Sequence, residues 1–127
     1  MPLMRDLKWS QSEKAIARKA YKQALERELA VMIRKTKQMA GAMETPSQLW
    51  ALHDYLTKAR AAVGEKYDYR YSVLPLVLAK LILDGYLRRE ELDGLGEDKL
   101  RYINTYVGLP VVTPSQQDQM GSREVLD

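Results

Sequence analysis

The chain contains no cysteine, which excludes disulfides, thiolate metal sites and thiol chemistry. It contains no phenylalanine either, so tyrosine and tryptophan carry all of its aromatic surface; nothing in the sequence accounts for that bias. His53 is the only histidine among 127 residues, and one imidazole without thiolates cannot build a multi-histidine metal site. No metal is therefore expected. No apolar run reaches the length of a membrane span, and the stretch Met1-Pro2-Leu3-Met4-Arg5-Asp6-Leu7-Lys8 lacks the apolar core of a signal peptide. The expectation is a cytoplasmic protein that inserts into no membrane. A phosphate-cradling loop is missing, since Gly94 and Gly96 have neither a preceding strand nor a P-loop lysine. No serine or threonine stands at a helical spacing that completes a triad with His53, so no catalytic residue is assigned and no enzyme is expected. The charge excess is small, +3 with a pI near 9.1, and weaker than a dedicated nucleic-acid binder shows.

What is present is a run of helix signals. Hydrophobic residues make up 46% and charged residues 29%, a balance that suits one ordinary globular domain. Ser10 and Glu13 form a capping-box pattern that starts a helix running from about Gln11 to about Met43. Its later half carries Leu25, Leu29, Met32, Thr36, Met39 and Met43 at alternating spacings of four and three, a heptad-like seam. Such a helix is roughly 50 Å long at 1.5 Å per residue. It outruns a compact domain of this size, so part of it must pack on another chain or project into solvent. The length argues for a homodimer. Thr45-Pro46 starts a second helix that reaches about Glu65. The short connection makes the pair an antiparallel hairpin. Lys66-Tyr67-Asp68-Tyr69-Arg70-Tyr71-Ser72 alternates like a strand, but no partner strand is evident, and it reads as packing between helices. Val73 to Leu83 is apolar on nearly all sides and predicts a buried helix, with Pro75 tolerated in its first turn. Asp84-Gly85 ends it. A short helical turn at Arg88 to Leu92 and a last helix from Glu97 to about Val107 follow. From Gly108 the composition is that of a mobile tail.

The second helix has two faces. Leu49, Leu52, Leu56, Ala59 and Val63 form an apolar stripe, which predicts that Leu49 and Leu52 hold the helix in place. Trp50, His53, Asp54 and Thr57 fall within an arc of about 100° on another side, with Arg60 at the seam. A tryptophan beside the only histidine and a carboxylate has the composition of a binding hot spot. Bland readings stand beside this one. Trp50 is a core residue if the first helix covers it; His53 is a hydrogen-bonding helix residue, with Thr57 within reach; Arg60 is a surface charge paired with Asp54 or Glu65. Arg34, Lys35 and Lys37 are a small basic cluster, read as a solvated helix face.

Trp9-Ser10, the run Leu49-Trp50-Ala51-Leu52-His53-Asp54-Tyr55-Leu56, Arg60, the run from Lys66 to Val73, Asp84-Gly85 and Glu90-Glu91-Leu92 together resemble the fluorescence recovery proteins of cyanobacteria. The resemblance covers roughly residues 9 to 107. It implies an all-helical dimer without a cofactor whose partner is the light-activated orange carotenoid protein. Members of that family bind the C-terminal domain of their partner. They speed its return to the orange resting form and its release from the phycobilisome, which ends photoprotective quenching. The resemblance maps the partner-binding patch onto Trp50, His53, Asp54 and Arg60, with Trp9 matching the start of the pattern. It maps the dimer contact onto Ile33, beside Leu29 and Met32.

The expectation is an all-α homodimer: an N-terminal arm (1–9), then one helical domain (10–107) and a flexible tail (108–127). The domain divides into a long hairpin and dimer region (10–66) and a small helical head (67–107). No nucleic-acid partner is expected. Two rival readings are a divergent helical adaptor for a different protein and a basic helical protein associated with nucleic acid, which salt-dependent binding would reveal.

Overall fold

The computed structural model describes residues 2–108. A single 3-10 turn (Met4–Asp6) precedes α1 (Gln11–Gly41) and α2 (Pro46–Lys66). Then come α3 (Leu74–Leu83), a second 3-10 turn (Arg89–Leu92) and α4 (Glu97–Val107). The protein is all-α, and the described residues contain no strand. The expected tail lies, beyond Gly108, outside the described residues.

Local chemistry explains the helix starts. The Glu13 amide donates to Ser10 Oγ at 3.1 Å while Ser10 N donates to Glu13 Oε1 at 3.0 Å, a reciprocal capping box. Thr45 and Gln48 repeat the device at the start of α2, with Pro46 in its first turn. Pro75 likewise sits in the first turn of α3, where it removes no intrahelical hydrogen bond. Gly85 and Gly108 take the left-handed conformation that stops α3 and α4.

One core lies at one end of the molecule. Leu74, Val77, Leu78, Ala79 and Leu81 of α3 are buried there with Leu87, Leu92, Leu95 and Ile103. Ala17, Ala20 and Ala24 complete it from α1. Their methyl side chains at helical spacing let α1 approach α3 closely. The head is thus more than the residues after Tyr67, because the first half of α1 supplies one of its walls. The alternating tyrosines are neither strand nor exposed stacking surface. Tyr67 and Tyr69 meet the Tyr21 ring edge-on at 5.4 and 4.9 Å, and the Tyr21 hydroxyl donates to the Tyr67 carbonyl at 2.9 Å. Edge-to-face rings at this separation add to their burial.

Three ion-pair clusters tie the helices to the head. Burial alone would push the Glu13 carboxyl up, but N–H groups of Ser10 and Gly96 and the Lys99 ammonium outweigh it and hold the carboxyl down at about 2. Gly96 N reaches Glu13 Oε2 at 2.8 Å, and Lys99 Nζ lies 3.0 Å from the same oxygen. Lys99 is only 3% exposed. It also donates to the Lys8 carbonyl and lies 5.4 Å from the Trp9 ring centre. At the far end of α2, Lys66 Nζ donates to Glu28 and Asp84 at 2.8 and 2.9 Å, and the Tyr67 hydroxyl donates to Glu28 at 2.9 Å. Burial and the Glu28 carboxylate keep that phenol protonated. Arg27 grips Glu91 through two hydrogen bonds of 2.6 and 3.0 Å.

Beyond the head, the chain is a two-helix arm. Lys35 of α1 rests on the Tyr55 ring of α2 at 4.5 Å, and Glu28 meets Lys66, so the helices run antiparallel. The arm has no core of its own: α2 buries no residue. Here the structure corrects the sequence reading. Leu49 is 46% exposed and Leu56 is also exposed, while Leu52 is half-buried. Two helices share only one interface, and it is too narrow to cover an apolar stripe as wide as this one.

Candidate functional site

Trp50, His53 and Asp54 lie together on the open side of α2. The indole is 62% exposed, and the first helix does not cover it. Its ring meets the imidazole edge-on, with centroids 6.2 Å apart and planes at 83°. His53 Nδ1 lies 3.8 Å from Asp54 Oδ1. Adjacent helical side chains usually diverge; here both bend toward the gap between them. Both side chains remain well exposed. The Thr57 hydroxyl donates to the His53 carbonyl at 2.9 Å and not to its imidazole. Arg60 is exposed one turn further along. Among the described residues it forms no ion pair with Asp54, Glu65 or any other carboxylate. The structure therefore gathers three of the expected residues, while the Arg60 guanidinium has no carboxylate partner among the described residues.

Trp9 is elsewhere. It is half-buried in the head, 5.4 Å from the Tyr71 ring. Its indole N–H is buried without a hydrogen-bond partner among the described residues. Lys99 takes the Trp9 face, so most of that ring is committed to packing. Ile33 is 55% exposed on α1, Leu29 is exposed one turn before it, and Met32 is half-buried. These side chains add to the uncovered apolar surface of the arm.

The arrangement offers recognition chemistry. An open aromatic face supplies contact area, and separated charges of both signs supply orientation. Among the described residues, no cluster of three or more histidine or acidic side chains is placed to hold a metal ion. No helix among them is long and apolar enough to cross a membrane. Sequence reasoning missed the buried Glu13–Lys99 pair and the Arg27–Glu91 fork. The capping box marked Glu13 as a helix cap, but no local signal announces a partner 86 residues away.

Comparison with known proteins decides the family. The profile of the photoprotection regulator fluorescence recovery protein matches residues 9–106. The chain belongs to the fluorescence recovery protein family. The fluorescence recovery protein of Synechocystis is 36% identical over 101 residues, spanning 80% of this chain and 93% of that protein. The structure of the Fremyella diplosiphon fluorescence recovery protein superposes with a TM-score of 0.77 at 37% identity. It covers 80% of this chain and all of that one. The Synechocystis structure gives the same TM-score at 34% identity and the same coverage. The family is one of photoprotection regulators, and its profile takes in the arm and all but the last residue of the head.

Proposed function

We propose that this chain acts as a non-enzymatic dimeric regulator in the cytoplasm of a phycobilisome-bearing cell. It binds the C-terminal domain of the light-activated orange carotenoid protein, speeds its return to the orange form and its release from the phycobilisome, and so ends quenching. The observation that carries the reading is the open Trp50–His53–Asp54 face on a helix in which no residue is fully buried among the described residues, in a member of this family. An apolar stripe left half-open by its one neighbouring helix calls for a covering surface, and the exposed Ile33 and Leu29 on α1 suit a second copy of the chain that supplies part of one.

The mechanism is non-covalent. A regulator shifts a two-state partner only through unequal affinity for its states. It speeds the return only if it binds the barrier state better than the activated one. Trp50 supplies buried aromatic area on docking, and Asp54 and Arg60 align the partner through opposite charges. His53 adds a hydrogen bond and a group able to change charge near neutrality. Trp9 enters this reading only through the head that it helps to anchor.

The test is to mix the protein with light-activated orange carotenoid protein and time the loss of red absorbance in darkness. Wild type should accelerate the decay. Trp50→Ala and Arg60→Leu should each weaken the effect by roughly 25-fold, the equivalent of a hot-spot loss of about 2 kcal/mol, with helicity unchanged. A correctly folded wild type that leaves the decay rate untouched would refute the partner; salt-sensitive binding to nucleic acid in its place would favour the rival class.

A further inference from the structure

The head carries a second feature, on elements other than α2. A pocket of 220 Å³ opens between the 3-10 turn Arg89–Leu92 and α4, lined by Arg89, Glu97, Leu100, Arg101 and Asn104. Asn104 is only 4% exposed, and a buried amide calls for a reason. Its Oδ1 accepts from Arg89 Nε at 2.7 Å. That bond fixes the guanidinium plane while leaving the two terminal nitrogens of Arg89 without a carboxylate among the described residues. The turn beneath Arg89 is itself held firmly. Leu92 is fully buried, and Arg27 clamps Glu91 from α1. Arg101 also has no ion-pair partner among the described residues, although Glu97 lies one turn before it at the spacing that favours one. Two unmatched guanidinium groups, one of them pre-oriented, thus face a concave site with a single apolar wall.

We propose that this pocket is a recognition notch for the carboxylate side chains of an acidic peptide segment carried by a second protein. A guanidinium presents parallel N–H donors that match a planar carboxylate. Leu100 offers a surface to the methylene stem of an aspartate or glutamate. Glu97 on the rim repels a doubly charged phosphate more than a singly charged carboxylate. The volume is smaller than that of ordinary small-molecule sites and suits one acidic side chain at a time, presented by a larger body whose remaining surface lies outside the notch. Pre-orientation by Asn104 reduces the ordering cost of binding. The inference does not depend on the identity of the partner at Trp50.

Fluorescence anisotropy with a dye-labelled, capped hexaglutamate peptide tests it, with a hexaglutamine peptide as control and the side-chain amide resonance of Asn104 as the site-specific signal. Hexaglutamate should bind wild type, move that resonance and weaken as salt rises. Arg89→Gln should lower affinity by roughly tenfold or more, the loss expected for hydrogen bonds to a charged group. Arg89→Lys should be nearly as weak, since it keeps the charge and loses the fork. Glu97→Gln should tighten binding by up to about fivefold by removing a nearby like charge. The notch is refuted if Arg89→Gln binds like wild type with an unchanged melting curve. It is equally refuted if neutralising Arg18 and Lys22 on the open face of α1 abolishes binding while the Asn104 signal never moves. Inorganic phosphate that shifts the Asn104 signal and displaces the peptide would overturn the carboxylate assignment.

Discussion

Replacing Glu13 by glutamine should loosen the head from the start of α1. The carboxylate accepts from Ser10 N and Gly96 N and meets the Lys99 ammonium at 3.0 Å. Glutamine keeps one acceptor oxygen, turns the other contact into a donor facing donors, and leaves Lys99 short of a counter-charge. The carboxyl is depressed from 4.5 to about 2, which corresponds to at most about 3 kcal/mol of charge-dependent stability. Solvent at the edge of the cluster screens part of this, so about 2 kcal/mol is the working figure. The folded value lies below the unfolded one. The contribution is therefore complete above about 4.5 and is lost as pH falls toward 2. Thermal unfolding followed by far-UV circular dichroism at fixed protein concentration reads the effect. At neutral pH, Glu13→Gln should lower Tm by about 8–16 °C for a head of this size. The gap between variant and wild type should close as the pH falls through the acid range. Adding Lys99→Met should restore part of the loss, because an apolar side chain of similar length removes a buried cation left with only the Asp98 carboxylate at 3.1 Å as its counter-charge. A variant that melts with wild type at neutral pH, or a gap that does not narrow in acid, would refute this account of the cluster.

Other perturbations probe other parts of the molecule. On the proposed dimer, Ile33→Glu should yield monomers by light scattering while leaving the head folded; an unchanged mass would remove Ile33 from the proposed interface. Gly94 has a φ of +103°, and a Cβ there would lie 2.6 Å from Ile16 Cδ1. Gly94→Ala should cost about 1–3 kcal/mol in urea unfolding. Ile16→Val in the same chain should recover only the contact part, because the backbone strain stays; full recovery would show that the strain is negligible. Removing the Lys66 ammonium with Lys66→Met leaves Glu28 and Asp84 facing each other without their shared cation. Hydrogen exchange should then rise at the end of α2 before it rises in α3, and a uniform rise across both helices would contradict a role for Lys66 in tying α2 to the head.

The sequence by itself determined most of the secondary structure, because caps and turns act over three or four residues. Ser10 with Glu13, Thr45-Pro46 and Asp84-Gly85 each act through neighbours close enough to be read directly. The observed bounds of α1, α2, α3 and α4 differ from the expected ones by at most two residues. The family was legible for a similar reason, since its residues recur in contiguous runs. The place of Trp50, His53 and Asp54 on one side of α2 also followed from helical spacing alone. Whether that side met solvent did not. Spacing says which residues share a face and nothing about what covers it; Leu49 was read as buried and is exposed for that reason. Only the tertiary structure decided that α1 gives its alanines to the head and its later half to an open arm. It alone joined Glu13 to Lys99, Arg27 to Glu91 and Arg89 to Asn104. Those pairs are separated by 15 to 86 residues, and a contact made across the chain leaves no local pattern until packing brings its ends together.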